Sequence, residues 1–377
     1  MSEQVIKIKE RIKSIDVLRG LSMFLLMASG EIGGGGIGPA FIKLFNLPQS
    51  VIEQFGYTKW EGLTIHYLIM PVFIFVSGMT IPISTNKRLS QCHRKRDLLP
   101  HIFKRVLVLY LLGLIAGAHL FELKQQSFAV VPLYNNVLQY IGISYLVCST
   151  LILMKVPVKT LALITVGLLL LYWMLFLFIP VPGWEGGRYS AEMNLTTYVD
   201  DIVLGSHRPE WRPSMAVLGT ISFIANMLIG VLMSQILTSN RDRKDKITLM
   251  IIIGAVMMLI GFIWGQFFPI IRGMWTSSYV LVNCGIATLL FVVFYLIIDV
   301  YGYAKWSIFF LVFGVNSIAI YFAAHIYNFR LIGNAFVGGL SRFLSPNVQN
   351  FVEATAALTV MWLILYWMYR KKTFIKV

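Results

Sequence analysis

Apolar side chains recur in long runs along the chain, and charged residues gather in the short stretches between them. Runs of about 20 residues match the roughly 30 Å of hydrocarbon that a helix has to cross. They predict ten membrane spans, at 16–36, 62–84, 105–121, 136–154, 160–180, 214–237, 247–271, 276–300, 306–326 and 351–370. The expected fold is therefore an all-α polytopic membrane protein, with one transmembrane domain over residues 1–377. The connecting segments at 181–213 and 327–350 are long enough to act as binding loops and too short to fold alone. No internal repeat marks the chain as a transporter built on inverted halves.

Composition agrees with the pattern. Of 377 residues, 57% are hydrophobic and only 13% charged, with a mean hydropathy of +0.74, where soluble domains run near a quarter charged. A net charge of +15 would suggest nucleic acid in a soluble protein. Here the aromatic residues sit inside the spans, so no base-stacking surface is expected and nucleic acid is not an expected partner. The basic residues instead follow the loops. Lys7 to Lys13, the cluster from Lys87 to Arg105, Lys155, Lys159, Arg241 to Lys246, Lys305 and Arg370 to Lys376 all fall on one side, which places both termini in the cytoplasm against anionic lipid. The start, MSEQVIKIKERIKS, has no cleavage-site pattern and argues against a removable leader. Cys92, Cys148 and Cys284 imply no disulfide framework.

Ionisable groups inside spans are costly and are functional candidates by default. Glu31 lies in MASGEIGGGGIG at the outer end of the first span, where glycines allow a ligand or another backbone to approach closely. Its alternative is a carboxylate at the interface or in a structural pair. His66 stands one turn into the second span, behind Trp60 and Glu61, with Met70, Phe73 and Ser77 on its face. Its alternative is a hydrogen bond to a neighbouring helix. In the ninth span Ser317, Tyr321 and His325 share a face, beside Asn316. These groups, with His119, point to a polar pocket opening outward. Gly113-x-x-x-Gly117 reads as close helix packing, and Asp16 with Arg19 as a local ion pair. Asn194-Leu195-Thr196 has the form of a glycosylation sequon. No metal-ligand spacing, phosphate loop or nucleophile elbow is present, so no metal is expected.

The segments SIDVLRGLSMFLLM, KWEGLTIHYLIMPVFIFVSGMTIPIS, NNVLQYIGISYL, MWTSSYVLVNCGIATLL, IIDVYG and FGVNSIAIYF follow one another in order. Together they resemble the heparan-α-glucosaminide N-acetyltransferase family of multi-pass membrane acyltransferases, in its bacterial form without a lumenal domain. The resemblance runs from about Arg11 to Tyr321. It implies ten or eleven helices, acetyl-CoA as the cytoplasmic acetyl donor, an amino sugar or glycan acceptor on the far side, and a bacterial inner membrane. A homodimer is compatible with it. The position of the family's catalytic histidine is Tyr57 in this chain, its aspartate before the proline is Tyr67, its first-span asparagine is Glu31, and its arginine after Leu-Gln is Tyr140.

Amine acetylation requires a base and a stabilised oxyanion. Glu31 or His66 would be the base, and His66 could instead carry the acetyl group. Trp60 and Trp275 would pack on a sugar, Glu61 and His325 would line the acceptor site, and Gln139 or Asn316 would donate to the oxyanion. Arg94, Lys95, Arg96, Lys104 and Arg105, with Lys87 and Arg88, would hold the phosphates of acetyl-CoA. The rival expectation is a relative that has lost this reaction and uses another acyl group, or transports or senses a glycan.

Overall fold

The computed structural model describes residues 12–30, 32–55, 60–89, 95–117, 132–208 and 215–374, and no strand occurs among them. The helices are α1 (Lys13–Ser29), α2 (Ile37–Leu44), α3 (Gln49–Gln54), α4 (Ile65–Leu89), α5 (Leu99–Gly117), α6 (Val137–Leu153), α7 (Val158–Phe178), α8 (Leu195–Leu204), α9 (Ala216–Leu237), α10 (Arg243–Trp264), α11 (Ser277–Phe294), α12 (Ile308–Val315), α13 (Ser317–Ile326), α14 (Phe329–Ser341) and α15 (Pro346–Arg370). Over the described residues, helix occupies much of each apolar run. Among the described residues seven helices are long and apolar enough to cross a membrane, or eight if α12 and α13, bent by 72° at Asn316, count as one. The two that fall short are α1 and α6, at 17 residues each. The glycine run expected inside the first span ends α1 instead: Gly30 adopts φ 84°, a left-handed conformation that closes the helix.

Burial sorts the helices into layers. The most apolar windows of α4 and α9 are 67% buried, against 22% for α5 and α10. The first two form the centre, and the others present Leu, Ile and Phe outward as lipid-facing surface. The centre is tight because two glycines let the backbones touch. A Cβ on Gly78 would stand 2.1 Å from the Met227 carbonyl, and one on Gly230 would stand 2.0 Å from that of Phe75. Gly113 of α5 faces Gln139 of α6 at similar range, which is the close packing its spacing predicts.

Two prolines, Pro71 and Pro82, lie inside α4. Pro71 has no N–H, so the Tyr67 carbonyl loses its donor in the helical ladder. The Tyr279 hydroxyl of α11 replaces it at 2.5 Å, and the Pro71 carbonyl itself accepts from the Asn226 side chain of α9 at 3.1 Å. Three helices are thus joined at the proline by side-chain hydrogen bonds.

Candidate active site

At the start of α4, His66 and Tyr67 are both buried, with ring centroids 6.2 Å apart. The Arg272 guanidinium lies over the Tyr67 ring at 5.4 Å. Arg272 belongs to a short turn ahead of α11 that ends at Trp275, itself at φ 53° and buried. Trp275 packs against Phe223 and Tyr279, Phe223 stacks on Tyr140 at 4.5 Å, and Tyr140 meets Tyr134 edge-on. Through Tyr279 this aromatic column reaches the carbonyl of Tyr67, the residue next to His66. Burial raises the Tyr134 phenol above its ordinary range, so its hydroxyl stays protonated in its 2.7 Å hydrogen bond with Thr220.

Trp60 and Gly62 wall the entrance. The Trp60 indole donates to the Tyr189 carbonyl at 2.8 Å and lies against Gly273, and the Gly62 N–H donates to the Ile270 carbonyl at 2.8 Å. Glu61 is exposed beside them.

One turn deeper a narrow cavity of about 10 Å³ opens between Ser22, Met23 and Leu26 of α1, Ile69, Met70 and Phe73 of α4, Val137 and Leu138 of α6, and Ile318 and Tyr321 of α13. That is room for about one water. Tyr321 closes it by donating to the Asn136 side chain at 3.3 Å. One turn along α13, His325 packs on Tyr321 at 4.4 Å and its Nδ1 lies 2.9 Å from the Tyr321 carbonyl.

At the other end of α4 a second cavity, about 450 Å³, is lined by Ser84, Thr85 and Arg88 of α4, His101, Lys104 and Arg105 of α5, and Tyr145 of α6. The Arg105 guanidinium stacks on Tyr145 at 4.2 Å. Its Nε is buried with no hydrogen-bond partner in the structure. A planar cation held over a ring beside two further cations and a histidine is suited to phosphate.

Helical periodicity puts His66, Met70, Phe73, Ser77, Ser84 and Arg88 on one face of α4. That face therefore carries the buried histidine at one end, the narrow cavity next to it, and the basic cavity about 33 Å along the axis from His66.

The remaining predicted residues fall as follows. Glu31 and Arg94 lie outside the described residues, as do Tyr57, Lys59 and His119. Lys95 and Arg96 open the short turn Lys95–Leu98 leading into α5. Gln139 is committed to the start of α6: its Oε1 accepts the N–H groups of Asn135 and Asn136, and its Nε2 donates to Leu133, completing a capping box with Asn136. Asn316 sits at the α12–α13 break and donates to Thr373, beyond the basic end of α15. Trp275 is 1% exposed and serves the aromatic column instead of presenting a free ring. Asp16 and Arg19 do pair, at 3.4 Å. Asn194 is fully buried and caps α8, so this sequon has no accessible acceptor amide. The glycines after α1 receive the chain's own helices: a Cβ on Gly33 would meet Ala324 and Met361 at 2.9 Å, and one on Gly34 would meet Asn328 at 2.2 Å. Tyr145 was not legible as a site residue, because it joins the basic cluster only across the α5–α6 interface, whereas the signal for His101 was its position one turn ahead of Lys104 and Arg105 on the same helix.

The chain is 26% identical over 420 aligned positions to heparan-alpha-glucosaminide N-acetyltransferase of Homo sapiens and 25% identical to that of Mus musculus. Each alignment covers 97% of this chain, which spans about 60% of the length of these relatives. Residues 11–179 match a family described as a domain of unknown function, DUF5009. Similarity in register along nearly the whole chain makes it a homologue of these acetyltransferases.

Proposed function

We propose that this homologue of membrane acetyltransferases takes acetyl from acetyl-CoA at the basic cavity, on the cytoplasmic side with both termini, and gives it to an amino sugar at the His66 end of α4. The observation that carries this is the single face of α4 that serves both ends. Arg88, His101, Lys104 and Arg105 suit the phosphates of acetyl-CoA, and the buried Arg105 Nε has a donor to spare. In the reaction the acceptor amine attacks the thioester carbonyl carbon. A C–N bond forms, the C–S bond breaks, the sulfur leaves as thiolate and the amine loses one proton. His66 takes that proton, with Glu31 as the second candidate base. Trp60 and Glu61 face the acceptor, and His325 bounds the same end from α13. The narrow cavity beside Phe73 and Tyr321 lies on the same face of α4, next to the His66 end. Gln139 and Asn316 each give one of their two amide N–H donors to a backbone carbonyl, and either remains a candidate donor to the oxyanion.

The test is calorimetry of acetyl-CoA binding to the purified protein beside Arg105→Ala, followed by transfer of labelled acetyl to glucosamine in vesicles beside His66→Ala. Binding weakened at least tenfold by the first variant, and transfer lost in the second with binding intact, are expected. No acetyl-CoA binding at millimolar ligand overturns the reading. One observation favours a second reading: Tyr67 places a buried phenol where the family carries an aspartate. Glycan uptake without acyl-CoA would then replace acetyl transfer.

A further inference from the structure

The loop between α7 and α8 encloses a cavity of about 190 Å³, lined by Phe176, Trp184, Glu185, Gly187, Arg188 and Leu195 among others. The loop is held in shape. Gly183 and Gly187 turn at φ 71° and 93°, and the Trp184 indole donates to the Gly187 carbonyl at 3.2 Å. Gly186 lies against the indole edge, where a Cβ would come within 2.3 Å. Arg188 gives one N–H to the Leu177 carbonyl at 2.6 Å, anchoring the guanidinium on α7 with the rest of its fork unspent on that bond.

A fixed indole beside a carboxylate and a guanidinium suits one class of ligand. A sugar ring has a face of C–H groups that packs on an aromatic surface and a rim of hydroxyls that bond to charged side chains. The loop also borders the proposed acceptor entrance. Tyr189, next to Arg188, accepts the Trp60 N–H with its carbonyl, and its ring packs on Phe176 and Phe268. The cavity and the Trp60 wall are thus two sides of one short segment.

We propose that this cavity is a second saccharide subsite, in which the sugar next to the reacting amino sugar stacks on Trp184 with its hydroxyls on Glu185 and Arg188. The proposal rests on the acceptor being a glycan. It makes the preferred acceptor a chain of at least two sugars.

The full-length protein in detergent is titrated with glucosamine and with the β-linked glucosamine disaccharide, as wild type, Trp184→Ala and Trp184→Phe. The wild type is expected to bind the disaccharide about tenfold tighter than glucosamine, the size of one aromatic contact. Trp184→Ala removes that preference and leaves glucosamine binding unchanged, and Trp184→Phe keeps most of it. Glucosamine bound with no disaccharide preference, or a preference intact in Trp184→Ala, overturns the subsite and leaves the acceptor reading standing. Neither sugar binding to the wild type overturns both.

Discussion

Removing the Tyr279 hydroxyl isolates what the proline in α4 demands of its surroundings. Tyr279→Phe keeps the fully buried ring against Trp275 and deletes only the donor to the Tyr67 carbonyl. That carbonyl lacks the regular helical donor, because Pro71 stands four residues on. Leaving a buried acceptor unsatisfied costs about 1–3 kcal/mol. Hydrogen bonds between membrane helices average nearer 0.6 kcal/mol, because the unfolded chain in the membrane also finds partners. A loss of about 1 kcal/mol is therefore expected. The decisive measurement is a double-mutant cycle with Pro71→Ala, followed by reversible unfolding in mixed micelles. Alanine restores the N–H that can reach the Tyr67 carbonyl, so Tyr279→Phe should then cost less than about half as much. Equal costs in both backgrounds would refute the compensation, and Tyr279 would be acting only through its ring.

Other predictions follow from close packing and capping. Gly230→Ala puts a methyl group where the Phe75 carbonyl stands 2.0 Å away, so overpacking of about 1–3 kcal/mol should lower the unfolding midpoint, whereas Gly338→Ala, with open space around it, should leave it unchanged. Asp200, fully buried in α8, accepts the N–H groups of Ala216 and Val217 and so caps α9 from a distant turn. Asp200→Ala should cost about 0.5–2 kcal/mol in thermal unfolding, and protease cleavage in the 195–208 segment should rise with it. Arg105→Lys retains the charge and loses the planar stack on Tyr145, so acetyl-CoA affinity should fall between those of wild type and Arg105→Ala.

What the sequence determined by itself is the membrane class and the helical segments. In hydrocarbon the backbone must satisfy its own hydrogen bonds, so a long apolar run has no alternative to helix. Short-range chemistry was legible too: the Asp16–Arg19 pair lies within one turn, and Gly113 marks close packing. The Asn136-x-x-Gln139 spacing is a capping signature, and the structure uses Gln139 in that way. The tertiary structure alone decided which faces meet. Periodicity names the stripe on α4 and leaves open what lies opposite it. The pairing of α4 with α9 brings Gly78 and Gly230 against each other's backbones, the packing of α11 on α4 sets Tyr279 against Tyr67, 212 residues apart, and the pairing of α5 with α6 sets Arg105 against Tyr145. The glycines after α1 show the same division. A run of small residues announces a close approach, but only the packed helices reveal that what approaches is α13 and the start of α14.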